Sequence, residues 1–305
     1  MDYLVIGAGG TGGSIAAYLA VAGHAVTVVD REPGLKAIRE HGLTVCRYAA
    51  EKIQTRNLTA VTEAEYQGQA DVIFVCVKGY SLLEIIPLLS RAAHPQTVII
   101  PILNIYGAGE KLAQQLPELN ITEGCIYIAA EISGPGEILH RGSIFRVIFG
   151  SRDPAQRLPR FDQIASDLRA SGIDGQVADD IRSAAFHKFA LVSSMAAAGA
   201  YLNASAGDFQ QPGSEARELF VTLIKEIQTL GQAMGIYLQE DLVEDILITI
   251  DALAPAMTTS MQKDLSQGGA SEIDGLVFEV PRLGERWGTP VPQYTRISQA
   301  LIENL

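Results

Sequence analysis

Residues 2–12 constrain this chain more than any other stretch. An apolar strand, Asp2-Tyr3-Leu4-Val5-Ile6, runs into Gly7-Ala8-Gly9-Gly10-Thr11-Gly12 and then into a helix. Gly7 permits the tight turn off the strand, Gly9 lets the backbone approach a pyrophosphate, and Gly12 lets the helix pack close to a sheet. The helix expected over 11–21 turns unpaired N–H groups and the positive end of its dipole toward phosphates. Ala8, Gly10 and Thr11 therefore join the three glycines as candidate cofactor-binding residues. A glycine triad alone is weak evidence, but here Gly23-His24 ends the helix and a second β run, 25–29, stops at Asp30-Arg31. That completes a βαβ unit with a charged pair where the ribose is expected. Asp30 could bind ribose hydroxyls and repel a 2′-phosphate, which favours NAD. Arg31 could stack on adenine and pair with that phosphate, which favours NADP.

At 305 residues the chain is long enough for two domains, and 48% hydrophobic and 19% charged residues describe an ordinary soluble protein. A net charge of −12 argues against nucleic-acid and anionic-membrane partners. No apolar run reaches transmembrane length, and the N-terminus is already a strand rather than a signal peptide. Cys46, Cys76 and Cys125 are widely spaced, with no CxxC pair. They are expected to be free thiols in a cytoplasmic protein. Histidine is scarce and lacks metal-ligand spacing, so no metal site is expected.

Beyond the first βαβ unit, 35–41 is expected to be helical and 43–48 with 53–61 a short β excursion. The continuous apolar runs 70–77 and 97–103 have the pattern of strands buried on both faces of a parallel sheet. They lead into Lys78 and Asn104, at the carboxyl ends of strands, where the ligand crevice of such a sheet lies. The runs 125–132, 136–140 and 143–149 alternate, which predicts antiparallel strands closing that sheet. A helix over 158–170 and a short strand over 173–177 follow. From Asp179 every strong pattern is helical: 179–203, 213–234, 241–254 and two more after Thr258. The expectation is an α/β chain: a Rossmann-type dinucleotide-binding domain over 1–177 and an all-α domain over 178–305.

Lys188 stands out in the second half. Its helical neighbours Ile181, Ala184, Ala185, Leu191, Val192 and Met195 are all apolar. A lysine centred in such a face is desolvated, which lowers its pKa toward the range of a general acid. One that snorkels from the edge of the face would keep an ordinary pKa. Near the end, Thr258-Thr259-Ser260-Met261 precedes a glycine break and Ser271-Glu272-Ile273-Asp274. Ser271 suits an N-cap with Glu272 in the first turn, and spacing alone favours simple capping. Pro281 predicts a kink in the last helices.

Together these pieces resemble the ketopantoate reductase (2-dehydropantoate 2-reductase) family over nearly the whole chain. The matching residues are Gly7, Gly9 and Gly12, Arg31, Lys78, Asn104, Lys188 two residues after Phe186, and the Ser260-Met261…Glu272-Ile273-Asp274 block. The resemblance implies NADP-dependent reduction of a 2-keto acid to a 2-hydroxy acid, ketopantoate to pantoate in pantothenate biosynthesis, with NAD as the alternative cofactor. It implies that Lys188 is the general acid, with Glu272 as its catalytic companion and cofactor contact. Ser260 and Glu272 would hold the substrate, while Lys78 and Asn104 bridge cofactor and substrate. The family's asparagines one and two turns after the lysine are here Val192 and Ala196, and its usual asparagine-glycine step is Asn104-Ile105. These departures imply a substrate pocket suited to a more apolar keto acid. The alternatives are a D-2-hydroxyacid dehydrogenase paralogue for branched or aromatic 2-keto acids, a dehydrogenase of a sugar acid or an amino-linked substrate, and a non-catalytic dinucleotide sensor. The helical half, rich in Ala and Leu, could also bury a homodimer contact.

Overall fold

The computed structural model describes residues 1–47 and 52–303. Tyr48, at the end of one expected strand, lies outside the described residues. The chain divides into two compact units, Met1–Leu103 with Gly107–Ile181, and Asn104–Tyr106 with Arg182–Leu305.

The first unit opens with β1 (Asp2–Ile6), α1 (Gly10–Val21), β2 (Ala25–Val29) and α2 (Gly34–His41). Then come β3 (Leu43–Arg47), β4 (Lys52–Thr55), β5 (Thr59–Val61), β6 (Ala70–Val75), α3 (Ile86–Ala92) and β7 (Ala93–Pro101). It continues with α4 (Ala108–Gln115), β8 (Asn120–Ile121), β9 (Glu123–Gly134), β10 (Glu137–Gly150), α5 (Arg160–Ala170) and β11 (Asp174–Val177). Six strands in the order β5-β2-β1-β6-β7-β8 form one sheet in which every pairing is parallel. Val72, Ile73, Phe74 and Val75 of β6 and Val98, Ile99 and Ile100 of β7 are fully buried, as the continuous apolar runs require.

The alternating runs after residue 123 do not close this sheet. They build a second one, in which β10 pairs antiparallel with β9 along one edge. Its other edge is shared by β3, which pairs with Glu137–His140, and β11, which pairs with Arg146–Phe149, both parallel. The runs 136–140 and 143–149 are thus one strand. Gly142, at φ +79°, lies within the register shift between Arg141 and Phe145, so the chain bulges and continues instead of turning back. The short β3–β4 excursion belongs to this second sheet.

Helix α1 packs against β1 and β2 on one side and against β3, β4, β9 and β10 on the other. Gly12 through Ala20 are all buried, which is why this helix is apolar all round rather than amphipathic.

The second unit is helical: α6 (Ile181–Leu202), α7 (Ala206–Phe209), α8 (Glu215–Ala233), α9 (Leu242–Asp251), α10 (Ser260–Ser266), α11 (Glu279–Trp287) and α12 (Pro292–Ile302). The short α7, absent from the periodicity, is held by a Ser205–Asp208 capping box. Helix α8 contacts α7, α9, α11 and α12. The Glu226 carboxylate on α8 accepts the N–H groups of Gln293 at 2.8 Å and Tyr294 at 3.1 Å, capping α12. The Tyr294 hydroxyl is buried against Ser193 at 2.8 Å and Ser194 at 3.2 Å on α6. Before Pro281 the chain makes a π-helical turn over Asp274–Phe278. The ring nitrogen of Pro281 cannot donate back along the helix, and the wider turn absorbs that break. Arg282 reaches back to the Asp274 carbonyl at 3.1 Å and its carboxylate at 2.8 Å. No helix among the described residues is long and apolar enough to cross a membrane.

Candidate active site

In the parallel sheet Ile6 stands opposite both Val29 and Val75, and Val75 stands opposite Pro101. The Gly7 N–H bonds the Val29 carbonyl at 2.8 Å, and the Cys76 N–H bonds that of Ile6 at 2.9 Å. Four strands therefore end in one row, and the glycine loop, Asp30 and the segment leading to Lys78 leave from the same edge. The chain departs from β1 toward β2 on one side and β6 on the other, so this edge carries the topological switch point at which α/β sheets bind ligands.

Gly7 adopts φ +93°, and a Cβ there would lie 2.8 Å from the Cys76 carbonyl oxygen. A Cβ on Gly12 would lie 2.0 Å from the Gly7 oxygen, so only glycine lets α1 start this close to β1. Gly9 caps α1 with no side-chain hydrogen bond, and a Cβ built on it meets nothing within 4 Å. The N-terminus of α1 thus offers backbone amides beside open space, which suits a pyrophosphate. Gly10 has a different reason to be glycine: its Cβ would sit 2.6 Å from the Ala130 carbonyl of β9. Gly13 likewise faces Ile138 of β10 at 2.5 Å. Ala8 is buried and Thr11 half-buried.

Asp30 follows β2 and is half-buried; burial raises its pKa, while the N–H groups of Arg31 and Ala8 act against that rise. Arg31 is exposed, and its Nη2 donates to Glu84 Oε2 at 3.0 Å. Lys78 is half-buried and immediately precedes a 3-10 turn, Gly79–Ser81, its carbonyl accepting the Ser81 N–H at 2.9 Å. Neither Glu84 nor its link to Arg31 was legible in sequence, because the two lie 53 positions apart.

The remaining candidates lie in the second unit. Lys188 is half-buried on α6, as are its neighbours Ala184 and Val192, while Ala185, Leu191, Met195 and Ala196 are buried. Burial lowers the pKa of the adjacent His187; Asp245 and Asp241 oppose that shift, and the charge of Lys188 adds to it. Asn104, half-buried, belongs to this unit through the segment Asn104–Tyr106. The Tyr106 ring packs edge-on against Phe186 at 4.8 Å and lies 6.0 Å from Phe189. Those phenylalanines flank Lys188 in sequence. Ile105 lies so close to Gly275 that a Cβ there would be 2.4 Å from its Cγ2. Glu272, three residues earlier, is 6% exposed.

Ser260 is exposed as the first residue of α10, whose N-cap is Thr259 in a capping box with Gln262. The Gln262 side chain donates to the Ala204 carbonyl at 2.8 Å and covers Gly199, three turns beyond Lys188 on α6. Tyr106, Gly275 and Gln262 have no signature in the sequence. Each does its work through a contact with a distant part of the chain, and no local pattern records that. Among the described residues no cluster of His, Cys, Asp and Glu could hold a metal ion.

Comparison with known proteins agrees with this geometry. The family model described as ketopantoate reductase PanE/ApbA matches residues 3–154, and that of its C-terminal part matches residues 180–304. An uncharacterized oxidoreductase of Bacillus subtilis, YkpB, is 28% identical over 280 residues, covering 90% of this chain and 89% of its own. The 2-dehydropantoate 2-reductase of Mesorhizobium japonicum is 26% identical over 320 residues, covering 96% and 94%. A solved structure of D-mandelate dehydrogenase with NADH and anilino(oxo)acetate shares the fold at TM-score 0.87 and 20% identity, covering 98% and 96%. With the two family matches spanning both units, the chain belongs to the ketopantoate reductase family, whose members are oxidoreductases acting on a CH–OH group.

Proposed function

We propose that this chain reduces a 2-keto acid to the 2-hydroxy acid with NADPH, and that Lys188 donates the proton. One observation carries the proposal. Within the second unit, Tyr106 on Phe186 and Ile105 on Gly275 tie Asn104 to the helix of Lys188 and to the turn beside Glu272. Three polar groups from distant parts of the chain are thus carried on elements that pack together. The bound dinucleotide supplies the hydride for the keto carbon. Negative charge then grows on the carbonyl oxygen, and a positioned ammonium both stabilises it and protonates it. Lys188 takes that role because its half-buried position weakens competition from water. Asn104 and Lys78 hold cofactor and substrate, while Glu272 orients the substrate hydroxyl and Ser260 its carboxylate end. Arg31 favours NADPH through its guanidinium, and Asp30 is the feature that would favour NADH.

Lys188→Ala is expected to bind NADPH normally and lose about 10²–10⁴-fold in turnover. Near-normal turnover would remove Lys188 from the mechanism. The substrate is tested by a panel of ketopantoate, 2-ketoisocaproate and phenylglyoxylate with each cofactor. A second reading has a specific basis: Val192 and Ala196 present apolar side chains one and two turns after Lys188. It predicts that 2-ketoisocaproate or phenylglyoxylate outperforms ketopantoate in kcat/KM; a clear ketopantoate preference sets it aside.

A further inference from the structure

We propose that Glu84 is a cofactor-selectivity residue: its carboxylate holds the Arg31 guanidinium and competes for it with the 2′-phosphate of NADP. The inference rests on the reading of the glycine loop as a dinucleotide site and adds to it a residue that weakens the 2′-phosphate preference.

Arg31 follows β2 by two positions, where the adenosine ribose lies in a βαβ dinucleotide unit. Its side chain is 77% exposed and would be free to turn to a phosphate, yet its Nη2 is directed to Glu84 at 3.0 Å. Glu84 is anchored as well as paired. Hydrogen bonds from Arg31 and from the Ser81 hydroxyl hold its carboxyl below the usual range, so it is ionised at neutral pH. Ser81 itself is only 8% exposed and ends the 3-10 turn that follows Lys78. The carboxylate is therefore fixed at the same strand edge as the cofactor loop. Asp30, next to Arg31, adds a second acidic group.

The Arg31 side chain carries a single positive charge, and through Nη2 the Glu84 carboxylate already neutralises part of it. A 2′-phosphate must displace Glu84 from Arg31 or share the guanidinium charge with it, and either way it gains less from Arg31 than it would from an unpaired guanidinium. NAD carries a hydroxyl in that position and meets no such competition. An exposed ion pair contributes little to stability, so removing Glu84 tests selectivity without disturbing the fold.

Titration calorimetry with adenosine 2′,5′-bisphosphate and 5′-AMP, which differ only by the 2′-phosphate, reads the effect without turnover. In Glu84→Gln the preference for the bisphosphate is expected to rise about three- to tenfold at low salt, and to shrink as salt screens the charge. In an Arg31→Ala background the same substitution should change the ratio much less, because its target is gone. A ratio unchanged by Glu84→Gln, with both nucleotides still bound, overturns the role of Glu84 and leaves the dinucleotide site standing. Binding of neither nucleotide to the unaltered protein overturns the dinucleotide reading and the selectivity role together.

Discussion

Gly9 and Gly12 stand three residues apart and are glycine for different physical reasons. At Gly12 a methyl group would lie 2.0 Å from a backbone oxygen and 2.8 Å from the Cys76 Cβ. No rotamer relieves a clash with backbone, so Gly12→Ala must push α1 away from β1. A loss of roughly 2 kcal/mol or more is expected, visible as a lowered Tm. At Gly9 the space is open, and φ is an ordinary −66°. Gly9→Ala should therefore leave Tm within about 2 °C of the parent and weaken NADPH binding by at least about tenfold, since only the ligand meets the new methyl. Cofactor fluorescence titration beside thermal melting separates the two; normal affinity in Gly9→Ala would refute the pyrophosphate cradle. Gly10, in the same loop, is in addition pressed by the Ala130 carbonyl of the second sheet.

Between elements, the contact with the most consequence joins the Asn104–Tyr106 segment to the π-helical turn. Ile105 occupies the space a side chain at Gly275 would need. Gly275→Ala is expected to displace Ile105, and with it Asn104, lowering kcat about tenfold or more, on the scale that small misplacements cost. Ile105→Ala makes room, so the double variant should recover much of the turnover that Gly275→Ala loses. A double variant no better than Gly275→Ala in steady-state kinetics would show that Ile105 does not transmit the effect. The π-turn belongs to the same arrangement. It carries Gly275, and its first carbonyl, that of Asp274, accepts both the Glu279 N–H and the Arg282 side chain.

For the molecule as a whole, stability is tied to pH through Glu123, a carboxylate 3% exposed at the amino end of α4. It accepts the Gly109 N–H at 3.2 Å and lies 4.0 Å from Arg152. Burial outweighs these partners and raises its pKa from 4.5 to about 7. The folded chain therefore holds this proton more tightly than the unfolded one. The contribution to stability is complete below about pH 4.5 and is lost as pH rises through about 7, on the order of 1–3 kcal/mol. Glu123→Gln should flatten that part of the Tm profile between about pH 5 and 8, and an unaltered slope would assign the dependence elsewhere. Like this carboxylate, the Asn104–Tyr106 segment meets residues far from it in sequence, and contacts of that kind decide how much of the molecule is legible in the chain. The parallel sheet and the glycine loop were legible because βαβ units and phosphate cradles are built from contiguous backbone with a strong local pattern. The alternation after residue 123 predicts an extension of the first sheet where the structure has a second one, since alternation records which face of a strand is buried and not which partner it pairs with. Lys188 was visible on its helix, but its link to Asn104 was not. By itself, then, the sequence determined the family, the α/β fold and the glycine turn between β1 and α1, all of which rest on residues close together in the chain. Only the tertiary structure decided that Asn104–Tyr106 packs with the helical unit, that Glu84 holds Arg31, and that the second sheet presses on Gly10. Those contacts join distant chain positions through shape and charge, which no periodicity in one chain encodes.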